Sequence, residues 1–296
     1  MRYIRIFLIM MTVSCVLGFH SCNTCSRPQK LDNIIIDIDL SEFNEESIYL
    51  DLGNRVLYAL PTPIEASMLI KNWGVPYTSL LNDPANASSY LTKSKQTVNL
   101  GIYITDMTTA GIYEQSQTVL RYRQAIMQLI EALGLKSVAD QNKMQEIEDN
   151  INNKNELLRL ISDIYAACTE FLSEDERGFY VLAMLSGGWV EGMYIATSLL
   201  DENEAANADK MKNIVADNRL TFDLLWGALG SLDEIPEDAL YLMTNMSYLA
   251  HLFGHQTLLS LPPRDEQAGN VENVTPQFFT ELKEHITLLR NQFVRI

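Results

Sequence analysis

The sequence predicts an all-α fold, either an irregular helical bundle or a short helix-pair array of about eight to ten helices. From Leu57 onward, nearly every segment carries apolar residues at helical spacing. The β-like run NIIIDIDL at residues 33–40 has no partner run elsewhere in the chain, so we expect it to be extended and packed against helices. No repeat period is visible, which argues against a regular solenoid.

The starts and ends of the helices follow from proline, glycine and capping residues. The triplet PTP at 61–63 predicts the start of a helix that ends at Gly74, because proline is tolerated in a first helical turn. A long helix is predicted from 88 to about 133, with a kink at Gly111 and an end at Gly134. The remaining helices are predicted at 138–150, 154–173, 175–200, 205–229, 237–259 and 277–293.

The N-terminus has the composition of a bacterial export signal, because Arg2 and Arg5 precede an apolar run at 6–19. This run is too short to span a bilayer comfortably. Phe19 stands where ordinary signal peptidase requires a small residue, and Phe-His-Ser-Cys fits a loose lipobox better. We therefore expect Cys22 to be the first mature residue, with a diacylglyceryl group on its sulfur and an acyl chain such as palmitate on its amine. A plain secretory signal is the alternative.

The cysteines and the lipobox together divide the chain. A signal peptide (1–21) is followed by a tether (22–40) and by a single all-helical domain (41–296). Only Cys25 and Cys168 remain for a disulfide, and Cys168 lies on the apolar stripe of the helix predicted at 154–173. We expect Cys168 to be a buried free thiol. Cys22 and Cys25 are not expected to be a redox pair, because no strand-to-helix pattern accompanies them.

The charge balance limits the classes of partner. The chain has 22 basic and 38 acidic residues and a formal net charge of −16, which repels nucleic acid and anionic lipid surfaces. We therefore expect no nucleic-acid partner, and membrane contact through the lipid on Cys22 alone. The acidic clusters lack the alternating spacing of a calcium loop, and no nucleophile elbow or phosphate-binding glycine loop is present. No cofactor is predicted.

Three motifs resemble a known group of proteins. They are YALPTPIE at 58–65, NLGIYITD at 99–106 and GGWVEGMY at 187–194, in that order behind the lipoprotein signal. In these motifs the chain resembles an uncharacterised family of helical lipoproteins from Bacteroidetes-type bacteria. The resemblance implies a helical fold and an envelope location, and it transfers no catalytic residues. Surface export in such bacteria is associated with acidic residues after the lipidated cysteine. Because Asn-Thr-Cys-Ser-Arg follows Cys22, we expect a periplasm-facing lipoprotein.

The segment at 179–200 is long enough to span a membrane and carries a single charged residue, Glu191. A charge at the bilayer centre costs about 2.5 to 3.5 kcal/mol on insertion scales, so we expect a central buried helix of a soluble bundle instead. Gly188, Gly192 and Ala196 recur at four-residue spacing. We expect them to allow a neighbouring helix to approach closely.

Two carboxylates fall within apolar helical segments, Asp106 and Glu191. A carboxylate in such a place must be hydrogen-bonded, paired or protonated. In one interpretation, Glu191 caps a backbone group or pairs with an arginine such as Arg121. In the other, a cleft binds a small polar or cationic ligand. The candidate ligand-binding residues of that cleft are Tyr103, Asp106, Trp189, Glu191 and Tyr194.

No metal site is predicted. His251 and His255 lie one helical turn apart, but Leu252 occupies the place of the glutamate in the zinc-protease motif HExxH. Two functional classes remain. The first is a lipid-anchored envelope protein that binds or scaffolds an envelope protein or a small molecule. The second is an enzyme that uses Asp106, Glu114 or Glu191 as a general acid or base, which requires carboxylates in an open cleft.

Overall fold

We analysed a computed structural model of the chain. It describes residues 71, 77, 80–135, 138, 141–173, 178–200, 207–232, 235–255 and 274–296, all within one compact unit. The signal peptide, the tether with its β-like run, the lipidation site Cys22 and the helix predicted to end at Gly74 lie outside these residues, apart from the single position Lys71.

The predicted all-α class is confirmed. Each α-helix begins and ends within a few residues of a predicted boundary, except at the break described below and in the helix predicted at 237–259. That helix ends at Leu252, because Gly254 follows in the left-handed conformation with φ of 83°. Two short 3₁₀ helices, Pro84–Ser89 and Glu237–Ala239, lead into α1 and α7. The α-helices of the described residues are α1 (Lys93–Ile112), α2 (Ser116–Ala132), α3 (Gln141–Asp149), α4 (Lys154–Ser173), α5 (Gly178–Ser198), α6 (Ala208–Gly230), α7 (Leu240–Leu252) and α8 (Pro276–Val294).

The long helix predicted from 88 to 133 is wrong, because the chain breaks between α1 and α2. The amide of Glu114 donates to the carbonyl of Gly111, and the amide of Gln115 donates to that of Ala110. This pair of bonds is the Schellman ending of a helix, which needs a left-handed residue after the last turn. Glu114 is that residue, with φ of 59°. Gly134 ends α2 in the same conformation, as predicted.

Helices α1 and α5 cross with their backbones in contact. A Cβ atom placed on Gly101 would lie 2.0 Å from the carbonyl oxygen of Met184, and one on Gly187 would lie 2.1 Å from that of Val98. Only glycine fits at such distances, so the two helices approach more closely than side chains would permit. The sequence prediction placed this approach partly at Gly192, but a Cβ there meets nothing within 4 Å.

Helix α5 forms the centre of the core. By length and composition, it is the one helix in the described part of the chain that could cross a membrane. However, 83% of its apolar window is buried by the protein itself. Neighbouring helices α1, α4, α6 and α8 all contact it. The prediction of a central core helix is therefore confirmed, and Glu191 lies inside the protein with 0% exposure.

Candidate functional site

The central polar feature is an ion pair between Glu191 of α5 and Arg290 of α8. The Nε atom of Arg290 donates to Oε2 of Glu191 at 3.0 Å, and Nη2 donates to Oε1 at 3.2 Å. The Glu191 side chain is fully buried, and that of Arg290 is 10% exposed. This two-point geometry is the strongest that a guanidinium and a carboxylate can form. It fixes α8 to the central helix.

Asp106 of α1 provides a second carboxyl group at the same place. It is fully buried, and its Oδ2 accepts a hydrogen bond from the backbone amide of Asn82 at 3.1 Å. Burial raises the pKa of Asp106 well above its usual range, and the neighbouring Glu191 raises it further. Burial raises the pKa of Glu191 as well, but its two hydrogen bonds from Arg290 oppose that change.

The charges in the cluster and its contacts indicate one proton on the pair of carboxyl groups, in agreement with the raised pKa of each acid. With one guanidinium and two carboxyl groups, the cluster is neutral only if one of the acids is protonated. Glu191 has the direct contact with Arg290, so Asp106 is the acid that holds the proton. No described residue donates to the Oδ1 atom of Asp106, although the two carboxyl groups are within hydrogen-bonding reach of each other. When Asp106 is protonated at Oδ1, this hydroxyl donates a hydrogen bond to the carboxylate of Glu191.

The segment before α1 closes over this cluster. Tyr122 of α2 donates to the carbonyl of Asn82 at 2.7 Å, and Tyr103 donates to the carbonyl of Asp83 at 2.9 Å. The side-chain amide of Asn82 donates to the hydroxyl of Tyr90 at 3.1 Å. Because three tyrosines hold residues 82 and 83 in place, the amide that Asp106 uses is fixed, and the cluster is sealed from this side.

The five candidate ligand-binding residues do not all meet. Asp106 and Glu191 are together, and Tyr103 lies beside Asp106, where burial is the main cause of a raised tyrosine pKa. Tyr194 is half-buried, and the guanidinium carbon of Arg290 lies 4.7 Å from the centre of its ring. This is a cation–π contact within the protein.

Trp189 lies apart from that cluster. Its ring centre is 5.4 Å from that of Phe222 of α6, on another side of α5. Its indole N–H is buried, with no acceptor among the described residues. Residues two apart on a helix point about 200° from one another, so Trp189 and Glu191 cannot line one small cleft.

Sequence reasoning missed Arg290 and Asn82. The arginine that it suggested as a partner for Glu191, Arg121, is exposed and donates to the hydroxyl of Thr118 at 3.3 Å. Arg290 has one available signal: it is the only arginine in the apolar-striped helix predicted at 277–293. The role of Asn82 rests on its backbone amide, which no side-chain pattern reveals.

Comparisons with family models, curated proteins and solved structures gave no match. The assignment of function therefore depends on the geometry of the chain itself.

The geometry joins two of the motifs noted in the sequence. NLGIYITD lies in α1 and GGWVEGMY in α5, and they meet at the glycine crossing. The hydroxyl of Thr105 donates to the carbonyl of Gly188 at 3.3 Å, one residue before Asp106. The glycines, the hydroxyl and the two carboxyl groups are thus parts of one helix contact.

His255 has a carboxylate partner instead of a metal. Its Nε2 atom lies 2.7 Å from Oδ1 of Asp223, which also accepts from Nε of Arg219 at 2.9 Å. Among the described residues, no group of three potential ligands could hold a metal ion. In the cluster of Asp106, Glu191 and Arg290, the two acids contact each other and one cation, and neither acid is exposed to solvent.

Proposed function

We propose that this protein is a lipid-anchored helical module of the cell envelope that binds or scaffolds another envelope component. The observation that carries the proposal is the burial and pairing of Glu191. General acid–base catalysis needs a group within reach of a substrate proton. Glu191 and Asp106 are both fully buried, so neither is available to a substrate in this state.

The cluster instead suits a structural role in a rigid module. It joins α5 to α8 by an ion pair and α1 to α5 by its two carboxyl groups, and the tyrosine contacts add α2. Buried polar networks specify a unique arrangement of helices when all members are satisfied. A scaffold requires such a fixed arrangement, because a partner must meet the same surface each time.

The location is proposed from the sequence. The charged, apolar and cysteine-terminated segments stand in the order of a lipoprotein signal, and lipid on Cys22 would supply the two or more chains that stable anchoring needs. The residues after Cys22 favour a periplasm-facing module. The resemblance of the three motifs to helical lipoproteins supports the same location.

The cleft hypothesis is less well supported than the scaffold. It needs Trp189 and Glu191 on one wall, and they face different sides of α5. It also needs a free carboxylate for a cationic ligand, but Arg290 already supplies the cation that Glu191 binds.

Two experiments test the proposal. Replacement of Cys22→Ser should release the protein from the membrane fraction or leave its signal uncut, and normal lipid labelling of that variant would contradict the anchor. Replacement of Glu191→Gln should destabilise the fold by about 3 kcal/mol, because Arg290 would be buried without its anion.

A thermal-shift screen with peptidoglycan and glycan fragments should accompany the second experiment. For a scaffold whose cluster is structural, no small molecule should stabilise the wild type while leaving Glu191→Gln unaffected. A ligand with that selectivity would overturn the structural role and restore the cleft.

A further inference from the structure

A surface pocket lies where α1 ends and where α2 and α4 begin, away from the buried cluster. Its volume is 360 Å³, which is within the range of about 300 to 1,000 Å³ for small-molecule sites. The described residues that line it are Gly111, Glu114, Ser116, Ile151, Asn152 and Lys154. Most of these carry polar side chains, so the pocket suits a small polar ligand.

One lysine lines this pocket, and a second lies beside it. Lys154 is part of its lining, and Lys71 reaches the same place, with its Nζ atom 3.6 Å from Oε1 of Glu114 and 2.6 Å from the carbonyl oxygen of Ile112. Burial lowers the pKa of Lys154, and the neighbouring ammonium of Lys71 lowers it further, whereas Glu114 opposes this change. Glu114 thus forms an ion pair with Lys71 and acts on Lys154 through its charge, while the two ammonium groups repel each other.

The Ser116 hydroxyl and the first turns of two helices also lie at the pocket. Ser116 is the first residue of α2, and the preceding residue, Gln115, makes no side-chain capping bond. The hydroxyl of Ser116 donates to the side-chain oxygen of Asn152 at 3.5 Å, a long bond that an anion can replace. Helix α4 begins at the pocket with Lys154 itself. The amides and the dipole of a helix start favour a negative charge, and here they add to the two lysines.

We propose that this pocket binds a compact anionic group, a phosphate or a carboxylate, between Lys71, Lys154 and the first turn of α2. The negative charge of the anion would offset the repulsion between the two ammonium groups. Its oxygen atoms would accept hydrogen bonds from Ser116 and from Lys154. Since the whole chain carries a net charge of −16, long-range attraction does not bring the anion to the surface. Binding therefore depends on the local contacts.

The site is independent of the lipid anchor and of the Glu191 cluster. Its failure would leave the proposed scaffold unaffected, and a failed anchor test would leave the pocket unaffected. The assay uses the mature chain with Cys22→Ser, titrated with inorganic phosphate in one arm and with succinate in the other. Binding is followed by calorimetry and by thermal shift at constant ionic strength, with chloride as the reference anion.

The expected result is saturable binding in at least one arm, and the arm with the tighter binding identifies the anion. Lys154→Gln should weaken that binding by about tenfold, because it removes one charge-assisted contact. Glu114→Gln should strengthen it by a few-fold, since Glu114 competes with the ligand for the lysines. Lys93→Gln, at an exposed lysine on α1, should change nothing.

The opposite signs of the two pocket variants make the test specific. A folded Lys154→Gln protein that binds as tightly as the wild type would overturn the proposal. So would the absence of saturable binding in both arms, or equal weakening by Lys93→Gln. Circular dichroism and the melting temperature of each variant establish that it is folded before binding is compared.

Discussion

A methyl group added at Gly187 tests the central claim about the fold, that α1 and α5 touch backbone to backbone. In Gly187→Ala, the new Cβ would lie 2.1 Å from the carbonyl oxygen of Val98. Carbon and carbonyl oxygen come no closer than about 3.3 Å even in favourable contacts, so the helices must separate by roughly 1 Å. No rotamer change relieves this clash, because both atoms are fixed by the backbone.

The cost follows from the contacts that such a separation disturbs. Overpacking a core costs about 1 to 3 kcal/mol, and the shift would also stretch the bond from Thr105 to Gly188, already 3.3 Å long. Alanine regains about 1 kcal/mol of helix propensity over glycine. The upper end of the overpacking range is about 3 kcal/mol, and the gain in propensity offsets about 1 kcal/mol of it. We therefore expect the free energy of unfolding to fall by about 2 kcal/mol.

The same helix provides a matched control at Gly192. A Cβ placed there meets nothing within 4 Å, so Gly192→Ala should gain propensity without a clash and stabilise the protein by about 0.5 to 1 kcal/mol. Urea unfolding followed by circular dichroism measures both variants, with the transition midpoint compared at equal slope. If Gly187→Ala proved as stable as Gly192→Ala, the crossing described here would be refuted.

Two further predictions concern Asp106 and Glu114. Because the folded-state pKa of Asp106 is raised, its contribution to stability is full below the unfolded pKa of about 3.9 and is lost as the pH rises toward the folded value. As the pH rises from 4 to 7, Asp106→Asn should therefore become more stable relative to the wild type. Denaturant unfolding at both pH values measures this change, and a pH-independent difference would contradict the assigned proton. Glu114→Gly should stabilise the protein by about 1 kcal/mol, since glycine adopts the left-handed conformation without strain. Glu114→Gln, which keeps the backbone strain, should change thermal unfolding little, and an equal gain from both variants would contradict the role of the backbone.

Local signals in the sequence predicted the helices well. The helix predicted at 154–173 has those bounds in the structure, and Thr275 caps α8 by accepting from the amide of Phe278 at 3.1 Å. The sequence does not predict the break at Glu114, because glutamate is uncommon in a left-handed position. Glycine is common there, so Gly134 is predicted as a helix end. Local rules identify a helix end by its usual residue, and fail when an unusual residue occupies it.

The candidate site was only partly accessible from sequence. Asp106 and Glu191 stood out because a carboxylate in an apolar helix is unusual, and that signal needs no tertiary structure. The identity of the cation did need it, since Arg290 is 99 residues from Glu191 along the chain. Trp189 is a candidate cleft residue that the structure separates from Glu191, because the helical rotation between them turns it to another side of α5.

The glycine crossing and the carboxyl cluster are one structural device. Asp106 lies five residues after Gly101 on α1, and Glu191 lies four residues after Gly187 on α5, so both are about one turn from the point of closest approach. Backbone contact at the glycines leaves no room for solvent between the next turns. The two acids therefore lie together without solvent. In this arrangement Asp106 is protonated and Glu191 pairs with Arg290.

The partners of the buried polar groups follow from the packing of the helices. Once α1 and α5 are in contact, an unpaired Glu191 would be a buried charge without compensation, which is strongly unfavourable. Docking of α8 supplies the guanidinium, and closure by Asn82 supplies the amide for Asp106. Each of these contacts thus satisfies a polar group that the contact between α1 and α5 buries, so the cluster favours one arrangement of the helices.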